Sequence, residues 1–132
     1  MSAGTYNITI EQGATFRRRI LWQNSDGEPR DLTGLRTARA MIRPYVGCGT
    51  YYAGGSTDFS SVFKQALRDA GYTVIDISVN KLASIIEIAI GADDTANLNF
   101  DRGAWDLEVV FNDGSIERVL QGAVYVSKEV SR

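Results

Sequence analysis

Gly103-Ala-Trp-Asp-Leu-Glu-Val-Val-Phe111 is the stretch that decides the fold of this chain. Asn112-Asp-Gly114 follows it, and a second apolar-rich run then extends from Ser115 to Val126. Two strand-like runs joined by an Asn-Asp-Gly turn predict a long β-hairpin. The first run is apolar on one face (Trp105, Leu107, Val109 and Phe111) and mostly acidic on the other (Ala104, Asp106 and Glu108). A strand that is apolar on one side only predicts a two-layer antiparallel structure.

Length and composition predict one globular domain spanning residues 1–132. The chain has 132 residues, of which 44% are apolar and 23% are charged, and its net charge is −2. This near-neutral balance argues against nucleic-acid binding, which needs a strongly basic surface. No apolar run approaches the ~18 residues of a membrane span, and the first residues lack the pattern of a secretory signal. The single Cys48 allows no internal disulfide, which fits assembly in a reducing cytoplasm.

Catalysis and metal binding find little support in the sequence. The chain has no histidine, the commonest general base and transition-metal ligand. Four aspartates could suggest a calcium site, but they lack the ligand spacing of a calcium loop; these are Asp93, Asp94, Asp101 and Asp106. The predicted alternative is a helix cap at Asp93 or Asp94 followed by solvent-facing strand residues. Asp106 and Glu108 share a strand face, but two acids on a solvated face are far commoner than a catalytic pair. We therefore predict no enzyme, no cofactor and no metal.

Alternating apolar residues predict about seven strands. After a loose tail at residues 1–5, they fall at 6–10, 15–23, 37–43, 72–79, 84–90 and in the two arms of the hairpin. The alternation is less regular in 72–79 than elsewhere. Turn residues separate these runs, a pattern typical of a mostly β, Greek-key-type antiparallel sandwich.

Residues 45–71 interrupt this all-β pattern as an insertion. Residues 45–57 are rich in glycine and tyrosine and predict a long loop or a ragged hairpin. A helix is predicted over 59–70, capped by Asp58 or Ser56 and stopped by Gly71. Its apolar residues recur at helical spacing on one stripe (Phe59, Val62, Phe63, Ala66, Leu67 and Ala70). We expect this helix to lie across the sandwich or onto a partner, and we expect folding to survive deletion of 45–71.

Several phrases, in this order along the chain, resemble a family of small phage virion proteins. They are Ile8-Thr-Ile-Glu-Gln-Gly-Ala-Thr-Phe16, Trp22-Gln-Asn-Ser-Asp-Gly-Glu-Pro-Arg-Asp-Leu-Thr-Gly34, Ala38-Arg-Ala-Met-Ile-Arg43, Ile88-Ala-Ile-Gly-Ala-Asp-Asp-Thr-Ala-Asn-Leu98, Trp105-Asp-Leu-Glu-Val109 and Arg118-Val-Leu-Gln-Gly-Ala-Val124. The family is related to the amino-terminal domain of siphophage upper-baseplate proteins. The resemblance implies an immunoglobulin-like β-sandwich in a phage particle, without catalytic residues. It leaves out Pro44 to Lys81, so we expect the insertion to be specific to this protein's attachment site.

Candidate interface residues come from the insertion and from one strand. Tyr45, Tyr51 and Tyr52 lie among glycines, a composition that adaptable protein interfaces use, although Tyr45 could instead fold onto the sandwich. Phe59 and Phe63 belong to the helix stripe. Arg17 and Arg19 belong to the run Arg17-Arg-Arg19, which could contact nucleic acid. The near-neutral total charge favours a charged strand edge against an acidic partner.

These observations predict a non-enzymatic structural protein of the virion, assembled in the cytoplasm of the bacterial host. We expect it in the tail, baseplate or neck, bound to other phage structural proteins and to copies of itself in a symmetric ring, without nucleic acid or membrane. A capsid decoration or fibre-anchoring protein is an alternative, since the same fold would serve it. A carbohydrate-binding module for host adsorption is another. The predicted burial of both tryptophans counts against that last alternative.

Overall fold

The computed structural model describes residues 4–45 and 52–128 of the chain, which contain ten strands and two helices. The elements in chain order are β1 (Gly4–Thr5), β2 (Ile8–Glu11), β3 (Phe16–Leu21), β4 (Leu35–Arg43), β5 (Ala53–Ser56), α1 (Ser61–Asp69), β6 (Thr73–Val74), β7 (Asp76–Asn80), β8 (Ile85–Ile90), α2 (Ala92–Thr95), β9 (Arg102–Phe111) and β10 (Ile116–Ser127).

The strands form two sheets. The larger has the order β1-β10-β9-β4-β5-β6, with β2 also paired to β10, and the smaller has the order β3-β8-β7. This confirms the predicted mostly β sandwich with an inserted helix. The strand count exceeds the predicted seven because β1, β5 and β6 are short additions to the larger sheet. Three pairs are parallel, namely β1–β10, β2–β10 and β5–β6, and the others are antiparallel.

The strand order is that of a variable-type immunoglobulin sandwich. The run β10-β9-β4-β5-β6 corresponds to strands G, F, C, C′ and C″, and β3-β8-β7 corresponds to B, E and D. In immunoglobulin domains a strand A lies beside B. Here both strands that precede β3 pair with β10 instead, which also means that Gly4 and Thr5 are not the loose tail that we expected. Within the described residues, the outer edge of β3 therefore has no partner strand.

The predicted hairpin is present and supplies much of the core. Trp105, Leu107 and Val109 are at most 3% exposed, and they face the smaller sheet from β9. Burying each of these large side chains contributes about 1.5–3 kcal/mol to stability. In the turn, Gly114 adopts φ 88°, and the Ser115 backbone N–H donates to the Asp113 carboxylate (2.8 Å). The alternation seen in the sequence thus sets the position of the main core layer.

The irregular stretch 72–79 is where the chain changes sheets. β6 belongs to the larger sheet and β7 to the smaller, and only Ile75 separates them. Ile75 is buried, and its backbone N–H donates to the Gly54 carbonyl (2.9 Å). Because Thr73, Val74 and Ile75 are buried in succession, the period of two breaks at this point.

Of the two forms expected for residues 45–57, the structure contains the hairpin. β5 pairs with β4 on one side and with β6 on the other, and all four of its residues are buried. The Tyr52 backbone N–H also donates to the Ile42 carbonyl (2.7 Å). Deleting 45–71 would remove this interior strand. The structure therefore gives a physical reason to expect that the deletion destabilises the fold, contrary to the expectation from the sequence.

The helix ends differ partly from the expected ones. Ser60 caps α1 by accepting from the Phe63 backbone N–H (3.1 Å), so neither Asp58 nor Ser56 is the cap. Asp58 instead accepts from the Thr37 hydroxyl (2.6 Å). Gly71 ends α1 as predicted, with φ 93° and a backbone N–H that donates to the Arg68 carbonyl (3.0 Å).

The short helix α2 also begins at a different residue. Gly91 is its N-cap, whereas Asp93 and Asp94 lie inside the first turn, where their negative charge still suits the helix dipole. The predicted cap at Asp93 or Asp94 is therefore wrong by two to three positions.

Thr95 connects the turn after β2 to α2 and provides a test of the fold. Its side chain is fully buried, and its hydroxyl accepts from the Gly13 backbone N–H (3.0 Å) and donates to the Ala14 carbonyl (2.8 Å). Thr95→Val keeps the shape but leaves these backbone groups unpaired, so we expect the free energy of unfolding to fall by about 1–2 kcal/mol. Urea denaturation measures this change. Thr95→Ser, which keeps the hydroxyl, should cost less, and an equal loss in both variants would contradict the assignment.

Candidate docking surfaces

Helix α1 is held to the sandwich through two ion pairs on one of its sides. The Lys64 ammonium lies 2.8 Å from the carboxylate of Asp76, at the start of β7. One turn later, the Arg68 guanidinium makes three contacts of 3.1–3.2 Å with the carboxylate of Asp94 in α2. Arg68 and Asp94 are partly shielded, and their bidentate geometry fixes the orientation of the helix more firmly than a single contact would.

The apolar stripe of α1 faces away from the sandwich. No residue of α1 is buried; the Val62 side chain is 79% exposed and that of Phe63 is 46% exposed. Phe63 contacts Phe59 edge to face, with ring centroids 4.6 Å apart. The apolar helix face comprises the exposed residues of the stripe (Val62, Phe63, Ala66 and Ala70) together with Phe59, which is partly buried and contacts Phe63. Leu67 is also partly buried and lies closer to the packed side.

This orientation follows from the positions of the two basic residues. At 100° per residue, Lys64 and Arg68 project roughly 130° and roughly 170° away from the centre of the apolar stripe. Because both are paired with the sandwich, the stripe is directed outward. An exposed contiguous apolar face of this kind is typical of a protein–protein contact.

The predicted interface tyrosines have different environments. Tyr45 is 65% exposed at the end of β4. Tyr52 instead packs on the core, stacked parallel to Phe100 with centroids 4.1 Å apart, which leaves it only partly exposed. Tyr51 lies outside the described residues, as does Cys48. The sequence analysis did not name Tyr72 as an interface candidate, although its side chain is 40% exposed just after α1. Its position next to Gly71, where the helix was predicted to end, could have indicated that it lies at the surface.

Arg17 and Arg19 lie on the outer face of the smaller sheet, as strand residues beside an open edge. The Glu87 carboxylate on β8 lies between them, 2.8 Å from Arg19 and 3.7 Å from Arg17. Arg18 packs over the Phe16 ring, 4.7 Å from its centroid, and its guanidinium donates to the Arg17 carbonyl (2.8 Å). The charged end of Arg18, and not only its stem, therefore packs against the apolar Phe16.

The outer face of the larger sheet carries an ion-pair network. Glu108 lies between Arg39 (3.1 Å) and Arg118 (3.2 Å), and Asp106 pairs with Arg43 (3.0 Å). Cross-strand register places these residues on neighbouring strands of one face. The two acids thus form salt bridges across the sheet, which accounts for both without a catalytic pair.

Asp106 has an unusual titration that can be tested. Burial raises its pKa above the ordinary value of 3.8, and attraction to Arg118 and Arg43 opposes this rise. A raised folded-state pKa means that the stability contribution is largest at acid pH and falls as the pH rises through the folded-state pKa. We therefore expect Asp106→Asn to increase the free energy of unfolding at neutral pH and to leave it unchanged below pH 3.8.

Urea denaturation at the two pH values, with the exposed Asp101→Asn as control, measures the effect. Asp101 has a side chain that is 91% exposed, so its substitution should change neither value. A loss of stability in Asp106→Asn at neutral pH would mean that the pair with Arg43 outweighs burial, contrary to this expectation.

The four aspartates that suggested calcium do not converge. Asp94 pairs with Arg68 and Asp106 with Arg43, while Asp101 is exposed near Lys128 (3.9 Å). Across residues 4–45 and 52–128, no group of three or more potential metal-ligating side chains is present.

Comparison with models of known protein families finds no match, and comparison with curated proteins finds no significant match. Neither helix in the described part of the chain is long and apolar enough to cross a lipid bilayer.

Proposed function

We propose that this chain is a non-enzymatic structural component of a bacteriophage particle, located in the tail, baseplate or neck. It acts by docking a rigid sandwich onto neighbouring subunits of the particle. Two surfaces serve this role: the apolar helix face on α1 and the open edge of β3. Repeated copies around a symmetric ring would multiply weak individual contacts into stable attachment.

The observation that carries this proposal is the outward direction of the apolar helix face. Val62 and Phe63 expose apolar surface, while the ion pairs of Lys64 and Arg68 orient the opposite side of the helix toward the sandwich. Leaving such surface in water is unfavourable by about 25 cal/mol per Å². A helix that is fixed with its apolar side outward therefore gains stability when a partner covers that side.

The assignment to a phage particle is supported by the resemblance of the ordered sequence phrases. Those phrases lie in the sandwich, whereas α1 lies in the part that the resemblance leaves out. This division is expected if the sandwich is common to the family and α1 is a contact region specific to this chain. The carbohydrate-binding alternative gains no support, because Trp22 and Trp105 are 8% and 3% exposed and offer no sugar-stacking platform.

Immunogold labelling of purified particles tests the proposal. An antibody raised against the purified chain is applied to virions of the phage that encodes it, and the label is located by electron microscopy. Label at the tail, baseplate or neck is the expected result. Label over the head would favour the capsid decoration or fibre-anchoring alternative, and unlabelled particles that also lack the chain by mass spectrometry would overturn the structural role.

A further inference from the structure

The open edge of β3 has backbone groups that point outward at alternate residues. Trp22 donates its backbone N–H to the Ser84 carbonyl (3.0 Å), in register with the pairing of β3 and β8. Because hydrogen bonding alternates along an antiparallel strand, the even-numbered residues of β3 bond to β8. Arg17, Arg19 and Leu21 therefore direct their N–H and C=O groups to the open side. The Arg17 carbonyl accepts a hydrogen bond from the Arg18 side chain, which is consistent with a carbonyl that is not bonded to β8.

The two sides of this edge differ in chemistry. On the outer face, Arg17 and Arg19 have side chains that are 62% and 74% exposed and share the single Glu87, so this edge keeps positive charge. Asp76, two strands away on the same face, pairs with Lys64. Beneath the edge, a groove of about 420 Å³ lies between the end of β3 and β10. Its apolar lining includes Ile20, Val119 and Leu120.

A second copy of β3 does not fit this edge. Antiparallel pairing of two β3 strands would bring the arginines of one copy against those of the other, and like charges on paired strands are unfavourable. Charged edge strands commonly prevent such self-pairing. The same arginines favour an occupant of opposite charge.

We propose that the β3 edge accepts an extended segment of a partner protein in which acidic and apolar residues alternate. The segment takes the place that strand A has beside strand B in immunoglobulin domains. Its acidic residues lie beside Arg17 and Arg19 on the outer face, and its apolar residues enter the groove below. β3 has six residues, so a segment of about that length completes the sheet by strand addition. This inference rests on the proposed docking role and names the chemistry of one partner.

A synthetic peptide tests this proposal directly. The probe is a fluorescein-labelled Glu-Val-Glu-Val-Glu-Val peptide with blocked ends, and fluorescence anisotropy measures its binding to the full chain. We expect saturable binding that weakens as salt is added. A Lys-Val-Lys-Val-Lys-Val peptide should not bind, and a Glu-Glu-Glu-Val-Val-Val peptide, which has the same composition without alternation, should bind more weakly.

Protein variants locate the charge contribution. Arg17→Gln/Arg19→Gln should weaken binding of the alternating acidic peptide about tenfold, the effect expected of two solvent-exposed charge pairs. Arg36→Gln/Arg102→Gln removes the same charge from exposed positions on other strands and should leave binding unchanged. Equal weakening in both double variants would overturn the assignment to β3.

Hydrogen exchange followed by NMR supplies the readout that is specific to strand addition. The amides of Arg17, Arg19 and Leu21 should gain protection when the peptide binds, whereas those of the even-numbered residues are already bonded to β8. Binding without this alternating protection, or no binding up to about 1 mM peptide, would overturn the proposal. If the three amides are already protected without peptide and the protein sediments as a dimer, the edge is occupied by a second copy of the chain and the proposal is overturned.

The outcomes separate this inference from the proposed function. If the antibody labels virions but the acidic peptide does not bind the chain, only the proposed partner chemistry is refuted. A chain absent from particles refutes the structural role whatever the peptide does.

Discussion

Replacing Gly55 by alanine is expected to lower the free energy of unfolding by about 3 kcal/mol or more, because backbone atoms occupy the space that a side chain would need. A Cβ at Gly55 would lie 1.8 Å from the Ile75 carbonyl oxygen and 2.7 Å from its carbonyl carbon. The Ile75 backbone N–H also bonds to Gly54, so this segment cannot move away without losing the pairing of β5 with β6. The loss would be a large share of the roughly 5–15 kcal/mol that stabilises a domain.

Gly34→Ala is the matched control for this prediction. Gly34 has no atom within 4 Å of its ideal Cβ position, and it does not have a positive φ. Its substitution should change stability by no more than about 0.5 kcal/mol. Thermal and urea denaturation of both variants provides the comparison. If Gly55→Ala is as stable as Gly34→Ala, β5 cannot pack against Ile75 as closely as described.

The sequence predicts the sandwich because its central strands obey a simple rule. In β9, residues that alternate in polarity alternate in burial, as Trp105 and Asp106 illustrate. Such a pattern depends only on which face meets the core, so it is visible without knowledge of the partners of the strand. The Asn-Asp-Gly turn then fixes the register of β9 and β10 next to the turn, since Gly114 accepts a positive φ at no cost. Beyond Arg118 an irregularity before Leu120 shifts the register by one residue, which the turn does not predict.

The same reasoning leaves Ala53–Ser56 open between a loop and a ragged hairpin, because tertiary packing decides the structure there. Ala-Gly-Gly-Ser has low strand propensity and resembles a loop. Its glycines are present because β5 is sandwiched tightly between β4 and the chain at Ile75. Close approach of another backbone is a recognised reason for glycine in a strand, but the approaching segment lies twenty residues downstream and cannot be identified from local pattern.

For a related reason, the sequence predicts that α1 has an apolar stripe but not the direction in which the stripe faces. Helical periodicity identifies the apolar stripe of α1, but a stripe that faces the core and one that faces a partner give the same pattern. The direction is decided by Lys64 and Arg68, whose acidic partners Asp76 and Asp94 are distant in sequence. The two tyrosines of the insertion also show that local sequence does not determine which side chains are buried. Tyr45 and Tyr52 have similar neighbours in the chain, yet Tyr52 stacks on Phe100 whereas Tyr45 is 65% exposed.

Substituting Val62 and Phe63 together by glutamine is expected to abolish incorporation of the chain into particles while leaving its fold intact. The Val62 side chain is 79% exposed, and Phe63, which is 46% exposed, packs on Phe59 at the same surface, so the double substitution leaves the buried core untouched. In a docked helix they would be buried, and losing two such contacts costs at least about 3 kcal/mol, or more than a hundredfold in affinity. Complementation of a phage that lacks the gene, followed by western blotting of purified particles, measures incorporation.

Leu82→Gln separates a specific helix contact from a general effect of surface polarity. Leu82 is 99% exposed, and it lies between β7 and β8, outside the apolar helix face. Its substitution makes the same kind of apolar-to-amide change and should leave incorporation at the wild-type level. Circular dichroism and melting temperature check that each variant is folded. Normal incorporation of Val62→Gln/Phe63→Gln would show that the exposed face of α1 is not a docking surface, because no partner contact could tolerate two buried amides at its centre without losing affinity.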